Sequence, residues 1–350
     1  MSRNPKITAL IDTYNHERFI AEAIESVLAQ DFPANEMEIL VVDDGSTDST
    51  PEIVRRYVDR VRYIRKENGG QASALNLGFA EARGEIVAML DGDDVWLPQK
   101  VRRVVEAFER APQAVVMYHP HLAWLPDRGT LVEDESFFPV HGRMPLEGEA
   151  LLRYGDYGTS EISLRKNLAT TMFPIPEPMR IYADTYLVFL AVFAGEVVGI
   201  PEHLTRYRCH GANLASFADR DDKRMRQRSE CYSRALRGGK EWLARNGFDL
   251  SRPDIAVYLR RHELVEQMLR YYCAPPGRAE YFRYLRDFQK LYRPLWTRRY
   301  RAFQTLLSLA GFVLGYERYV GLRECYRASR LSVRVRESLL PVSGQEAALP

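Results

Sequence analysis

The chain has 350 residues, 46% of them hydrophobic and 27% charged, with a formal net charge of +2. That much apolar surface offsets chain entropy and excludes a wholly disordered chain. The mean hydropathy of −0.34 and the lack of any apolar run near the roughly 20 residues of a spanning helix exclude a polytopic membrane protein. The opening MSRNPKITAL has no apolar core of a signal segment, so secretion is not expected. Cys209, Cys231, Cys273 and Cys325 lie far apart with no CxxC pair, the pattern of reduced, scattered thiols.

In chain order, Lys6–Asp12 reads as a buried strand, and Phe19, Ile20, Ala23, Ile24, Val27 and Leu28 repeat at helical spacing within Glu17–Gln30. Met37–Val42 is a second strand, ending at Asp43-Asp44-Gly45. Thr50-Pro51-Glu52 opens a helix, with Asp48, Ser49 or Thr50 as its cap. Val61–Ile64 reads as a strand, Gln71–Ala82 as a helix stopped by Gly84, and Glu85–Leu90 as a strand ending at Asp91-Gly92-Asp93-Asp94. A helix over Pro98–Arg110 and a strand over Ala114–Tyr118 follow. Residues 119–180 are irregular and rich in Pro, Gly and aromatics. Beyond them come a helix over Tyr182–Ala194 and strands at Val197–Ile200 and Leu204–Tyr207. Segments 222–246, 254–273, 278–291 and 298–315 are amphipathic helices, and the tail after Leu339 is expected to fray.

This alternation predicts an α/β fold, Rossmann-like, with a mainly parallel sheet flanked by helices and a helical C-terminal extension. Ligands in such sheets bind beyond the carboxyl ends of the strands. The clusters Asp12–Asn15, Asp43–Ser46 and Asp91–Asp94 should therefore open on one rim. Charge divides the chain similarly. Residues 1–218 hold 22 Lys+Arg against 32 Asp+Glu, and residues 219–350 hold 27 against 15, giving −10 and +12. We expect a domain at 1–218, with a nucleotide-binding half at 1–105 and an acceptor half at 106–218, followed by a basic helical region at 219–350.

Several carboxylates on one tight turn repel each other unless a hard divalent cation sits among them, and Mg2+ or Mn2+ takes one or two carboxylates with substrate phosphates completing the shell. Asp91-Gly92-Asp93-Asp94 fits that need. Asp43 and Asp44, at the end of a buried strand, suit acceptance of hydrogen bonds from a base N–H or a ribose hydroxyl.

Ile11–Asn15 with Glu17, Val41–Asp48, Asn68–Gly78, Gly84–Glu85 and Asp91–Pro98, taken in order, resemble family-2 glycosyltransferases. The resemblance is dense over 6–105, thins over 106–180, returns at 181–216 and does not cover 219–350. It implies a GT-A fold and an inverting, metal-dependent transfer of sugar from a nucleotide-diphosphate sugar, UDP-sugars favoured, to a hydroxyl acceptor. The setting it implies is assembly of cell-surface or extracellular polysaccharide or glycolipid.

Carried over residue by residue, the resemblance puts Asp44 at the base edge with Thr13 and Tyr14 beside it, and Asp91 at the ribose or the metal. It makes Asp93 the main ligand of Mn2+ or Mg2+, and Asn76 a residue near the nucleotide. Asp184 takes the place of the family's catalytic base, and His210 stands near the diphosphate and metal. Asp12, where the family usually has proline, and Ala183, where it usually has glutamate, are departures. A catalytically silent sugar-nucleotide-binding protein of the same fold and a nucleotidyltransferase are the competing readings. The latter usually needs a glycine-rich phosphate loop after the first strand, where this chain has Asn15-His16-Glu17.

The expected partners are a nucleotide sugar and a carbohydrate or lipid-linked acceptor, with no nucleic acid. Leu306–Tyr316 is too short to span a bilayer but, with Arg298, Arg299 and Arg301 before it and Arg318 and Arg323 after it, suits the interface of an anionic membrane. The expected location is cytoplasmic, at the membrane's cytoplasmic face.

Overall fold

The computed structural model describes residues 4–126, 129–133, 137–155, 157–210, 213, 222–296, 298–314 and 316. The expected tail after Leu339, Cys325 and the arginines from 318 onward lie outside the described residues. The chain divides into two compact units, the first made of Met1–Met144, Tyr154–Arg220 and Cys231–Phe248, the second of Pro145–Arg153, Asp221–Glu230 and Asp249–Pro350.

The first unit opens with β1 (Ile7–Thr13), α1 (Ile20–Leu28), β2 (Met37–Asp43), α2 (Thr50–Arg55), β3 (Arg62–Arg65), α3 (Gln71–Glu81), β4 (Ile86–Asp91), β5 (Val95–Trp96), α4 (Lys100–Arg110) and β6 (Ala114–Tyr118). It continues with β7 (His121–Leu125), β8 (Thr130–Glu133) and β9 (His141–Gly142), and, past α5 (Gly148–Arg153) of the second unit, with β10 (Ile162–Arg165), α6 (Lys166–Ala169), α7 (Ala183–Ala194), β11 (Glu196–Gly199) and β12 (Thr205–Arg208). Eight strands form one sheet in the order β3-β2-β1-β4-β10-β6-β11-β9, and β5-β12-β7-β8 form a smaller one. β3, β2, β1 and β4 run parallel, as do β6 and β11, while β10 is antiparallel to both its neighbours.

The period-2 pattern of the central strands explains the layers. Ile7, Ala9 and Ile11 of β1, Ile39 and Val41 of β2, and Ile86, Ala88 and Leu90 of β4 join one core with Ile20, Ala23, Ile24 and Val27 of α1 and Val101, Val104, Val105 and Phe108 of α4. Leu10, Leu40, Val87 and Met89 are buried on the opposite face. Strands covered on both faces read as the near-continuous apolar runs seen in the sequence. On that opposite face α3 approaches so closely that a Cβ on Gly78 would lie 2.3 Å from Leu10 Cδ1.

The structure differs from the sequence pattern at several boundaries. α1 begins at Ile20 rather than Glu17, because the amides of His16 and Glu17 bond across to Thr50 Oγ1 (2.9 Å) and Asp48 Oδ2 (3.0 Å). Thr50 does not cap α2: its hydroxyl serves His16, and Asp48 Oδ1 accepts the Thr50 amide at 3.0 Å. The irregular 119–180 stretch contributes β7 to β10. The strand expected at Leu204–Tyr207 is β12, and it belongs to the smaller sheet.

The second unit is helical, comprising α5, the first residues of α8 (Asp222–Arg245), α9 (Pro253–Cys273), α10 (Arg278–Tyr292) and α11 (Arg298–Leu314). Leu264, Tyr271, Tyr281, Tyr284 and Leu285 form one buried cluster and Leu152, Tyr292 and Trp296 another. Arg260 of α9 pairs with Asp287 of α10 at 2.7 Å.

Candidate active site

The strand order β2-β1-β4 places the carboxyl ends of three parallel neighbours on one edge of the sheet. Asp12 and Asp91 are register partners on β1 and β4. Each is an even step from the residues on the α3 side of the sheet, as is Asp44 just past β2, so all three leave their strands toward that face.

The acidic loops meet around Asp12. Its side chain is 7% exposed, and its Oδ1 is buried without a hydrogen-bond partner among the described residues. Burial pushes its pKa up to about 8, with the Asp93, Asp184 and Asp44 carboxylates adding to the rise. Asp91 is likewise raised, by burial and then by Asp12, Asp94, Asp93 and Asp184. The Asp44, Asp93 and Asp184 carboxylates thus all lie near enough to Asp12 to raise its pKa.

Asp44 is firmly held. Its Oδ1 accepts from Lys66 Nζ and the Gly69 amide, both at 2.9 Å, and its Oδ2 from the Gly70 amide at 2.7 Å. The carboxylate therefore sits at the amino end of α3, where exposed N–H groups favour an anion. Gly70 adopts φ +90, and a Cβ there would meet Arg180 Cα at 2.9 Å, so only glycine bends the loop around Asp44. Thr13 is buried beside this edge and Tyr14 is 42% exposed on it. Asn76 is tied elsewhere: its amide brackets Ile175 N (2.7 Å), Ile175 O (2.9 Å) and Glu177 Oε1 (2.9 Å), bracing the 175–177 segment.

At the Asp91–Asp94 turn, burial raises the Asp93 pKa, but the His210 hydrogen bond and the charges of His16 and His210 outweigh it and hold Asp93 below the usual carboxylate range. His210 Nε2 lies 3.0 Å from Asp93 Oδ2, and His16 Nε2 lies 3.8 Å from the same oxygen. Asp94 does not cap α4. Its Oδ2 accepts from Ser160 Oγ at 2.7 Å and its Oδ1 from the Arg208 amide at 2.9 Å. Arg208 Nε also donates to Asp93 O at 2.7 Å, and Asn213 holds both Arg208 O and His210 N, so the His210 segment is locked onto the turn.

Asp184 is the second residue of α7, behind Tyr182 in a left-handed conformation (φ 63). Burial lifts its pKa to about 6; the Glu161 charge adds to the rise, and the Thr185 and Thr159 amides oppose it. Gln71 Nε2 bridges Asp91 Oδ1 (3.1 Å) and Thr159 Oγ1 (3.0 Å), linking the donor-side turn to the segment that supports Asp184.

Among the described residues no three His, Cys, Asp or Glu side chains are already arranged as a metal-holding group. The donor set still fits a hard divalent cation. Asp12, Asp91 and Asp93 crowd together, an orphaned carboxylate oxygen lies among them, and a cation completed by phosphate and water needs only one or two protein carboxylates.

Sequence reasoning missed His16, although its place three residues past the end of β1 put it on the right rim. It also missed Lys66, Ser160 and Arg208, whose roles depend on contacts between distant segments.

The family model described as glycosyl transferase family 2 matches residues 8–123. An uncharacterized glycosyltransferase of Nostoc sp. is 36% identical over 217 residues, 59% of this chain and 66% of that protein. An uncharacterized protein of Mycobacterium bovis is 30% identical over 59% of this chain and 60% of its own length. The chain thus spans about two thirds or less of these relatives. Among solved structures, residues 1–349 of TarS from S. aureus in complex with UDP-GlcNAc superpose with a TM-score of 0.60 at 18% identity, covering 83% of this chain and 81% of that one. The mannosyltransferase PcManGT of Pyrobaculum calidifontis, in complex with GDP-Man and Mn2+, gives 0.53 at 17% identity, covering 92% and 84%. The matched strands and acidic turns, the sheet order and these relatives together show that the chain belongs to glycosyl transferase family 2 and has the GT-A fold.

Proposed function

We propose that this chain is an inverting glycosyltransferase that moves a sugar from a nucleotide-diphosphate sugar to a hydroxyl acceptor. The observation that carries the reading is Asp184, a carboxylate tuned to about 6 that acts electrostatically on the acidic strand-end cluster. A base with that proton affinity is ionised at neutral pH and still able to take a proton from an attacking hydroxyl. Asp93 and Asp91, with His210 at their flank, would hold Mn2+ or Mg2+, which as a Lewis acid stabilises charge gathering on the departing diphosphate. Thr13, Tyr14 and Asp44 would border the nucleoside. Single displacement with Asp184 opposite the leaving group inverts the anomeric carbon.

UDP-sugars are the favoured donors, and a solved relative of the same fold binds UDP-GlcNAc while another binds GDP-Man with Mn2+. A panel of UDP-, GDP- and TDP-sugars with Mn2+, read by release of free nucleoside diphosphate, tests the reading. Release from none of them, with or without a carbohydrate acceptor, would overturn it.

The acceptor we propose is a carbohydrate or lipid-linked hydroxyl in cell-surface polysaccharide or glycolipid assembly, met by a cytoplasmic enzyme at an anionic membrane. No described helix is long and apolar enough to cross a membrane. On α11, however, Leu306, Leu309 and Val313 share one face at 66%, 49% and 66% exposure, beyond Arg298 and Arg301. An apolar stripe with basic flanks suits the lipid interface.

A further inference from the structure

We propose that His16 supplies a nitrogen donor to the divalent cation at Asp93, so that the protein's share of the coordination shell includes the His16 imidazole beside the carboxylates. The proposal rests on the metal-dependent reading above and adds a ligand that the motifs did not mark.

Three observations carry it. The first is the separation of donor atoms. His16 Nε2 stands 3.8 Å from Asp93 Oδ2. That is beyond hydrogen-bond length. Two donors each about 2.1 Å from one octahedral cation stand about 3.0 Å apart when adjacent and about 4.2 Å apart when opposite. At 3.8 Å the imidazole nitrogen and the carboxylate oxygen reach the adjacent spacing with a side-chain adjustment of about 0.8 Å.

The second is the other ring nitrogen. His16 Nδ1 lies 3.2 Å from Thr13 Oγ1. Metal-binding histidines fix their orientation through such a contact, and with Nδ1–H donating to the Thr13 hydroxyl the opposite nitrogen carries the lone pair that faces the ion.

The third is how firmly the loop is built. Asn15 adopts φ 56, and residues 15–17 are stapled to 46–50. Asn15 N donates to Ser46 Oγ, Thr47 N to Asn15 Oδ1, His16 N to Thr50 Oγ1, Glu17 N to Asp48 Oδ2 and Ser49 N to Glu17 Oε2, all within 2.8–3.0 Å. Opposite the ring, Gly92 leaves the room it needs, since a Cβ there would lie 2.8 Å from His16 Nδ1 and 2.7 Å from Thr13 Oγ1. His210 hydrogen-bonds the same Asp93 oxygen from its own segment, and its ring lies 4.5 Å from Phe19, so Asp93 is oriented by His210 independently of His16.

Imidazole nitrogen favours first-row transition ions over Mg2+. The full-length protein should accordingly bind Mn2+ more tightly than Mg2+, and His16→Gln should narrow that preference.

The test is Mn2+ titration of the full chain, alone and with UDP, followed by electron paramagnetic resonance. Bound ion is counted from the free-Mn2+ signal, and nitrogen coordination is read from the electron spin-echo modulation of 14N. We expect a 14N coupling that His210→Gln retains and His16→Gln loses, with the Mn2+ dissociation constant raised about 10-fold or more in His16→Gln. Thr13→Val, which keeps the branched shape and removes the ring's partner, should weaken Mn2+ by about 10-fold; it provides a second reading if His16→Gln fails to fold by circular dichroism. Unchanged 14N coupling and Mn2+ affinity in His16→Gln would overturn the proposal. So would weakened UDP binding measured without metal alongside intact Mn2+ coupling, which would make His16 a phosphate contact. Failure of the unsubstituted protein to bind Mn2+ under either condition would overturn the metal-dependent reading itself, and this inference with it.

Discussion

Asp184→Asn gives the most direct access to the chemistry. The substitution keeps the shape of the side chain and an oxygen for the Thr185 amide, which now donates to Asp184 Oδ1 at 2.6 Å, while removing the proton acceptor. Removing a general base costs about 10²–10⁴-fold in rate, or about 2.7–5.4 kcal/mol of transition-state stabilisation. The pH profile adds a quantitative signature. With a pKa of about 6, Asp184 is ionised in about one molecule in ten at pH 5 and about nine in ten at pH 7. A base acts in its ionised form, so kcat/KM should rise about tenfold between those values and level off above pH 7. The assay is nucleoside diphosphate release at fixed saturating Mn2+, from pH 5 to 8, on both proteins. Asp184→Asn should lose the inflection near 6 together with the rate, while keeping donor affinity by calorimetry. Glu161 raises the Asp184 pKa, so Glu161→Gln should move the inflection to lower pH. An Asp184→Asn enzyme that retained more than a tenth of the rate, or kept the same inflection, would refute the assignment.

Stability should depend on pH through Asp12 and Asp94, both raised from 3.8 to about 8, first by burial and then by neighbouring carboxylates. A raised folded-state pKa means that the native state holds protons the unfolded state releases, so this contribution is full below about pH 4 and is lost as pH rises to about 8. The melting temperature should therefore fall from pH 5 to 8, Asp12→Asn should flatten the fall, and the rise on adding Mn2+ should be larger at pH 8 than at pH 6; a flat profile that Asp12→Asn does not alter would refute this. Gly84→Ala places a Cβ 2.4 Å from Thr8 N and 2.6 Å from Ile7 C, both backbone atoms of the central-strand region. Chemical denaturation should show a loss of about 3 kcal/mol. Leu306→Glu with Val313→Glu, on the exposed face of α11, should reduce flotation with anionic vesicles and leave transfer to a soluble acceptor unchanged; equal flotation would remove that face from membrane contact.

The central strands were legible because burial on both faces makes each one an apolar run ending in charge: MEILVV before Asp43, and IVAML before Asp91. Their shared rim followed from the parallel topology. β10 was not legible. Four residues show only two side chains per face, and what makes Ile162–Arg165 a strand is its place between β4 and β6. The same limit applies to the site. Asp93 and Asp184 announce themselves as carboxylates at element ends, whereas His16 gains its meaning from a separation to Asp93 that no spacing in the sequence encodes. Thr50 is the converse case: local propensity made it a helix cap, and a tertiary bond to the His16 amide took its hydroxyl instead.

One buried polar scaffold explains how donor-side and base-side groups from distant segments keep register. Lys100, wholly buried, donates to Ser160 O at 2.5 Å and Thr205 Oγ1 at 3.3 Å and lies 4.4 Å from the Trp96 ring centre. Burial lowers its pKa well below that of a free lysine, while Glu161 and Asp94 pull the other way. Ser160 in turn donates to Asp94 and accepts the Asp91 amide at 3.0 Å. The adjacent Thr159 bonds Gln71 through its hydroxyl and Asp184 through its amide. A single short turn, Thr159–Glu161, thereby touches the acidic turn through Ser160, α3 through Thr159, the proposed base through the Thr159 amide, and His121 through Glu161 at 2.6 Å. Polar groups this deep are costly unless every member is satisfied, so loss of any one partner propagates to the others. A chain that commits so many buried hydrogen bonds to one three-residue turn fixes the separation between its acidic turn and Asp184, and the in-line displacement proposed above depends on that separation.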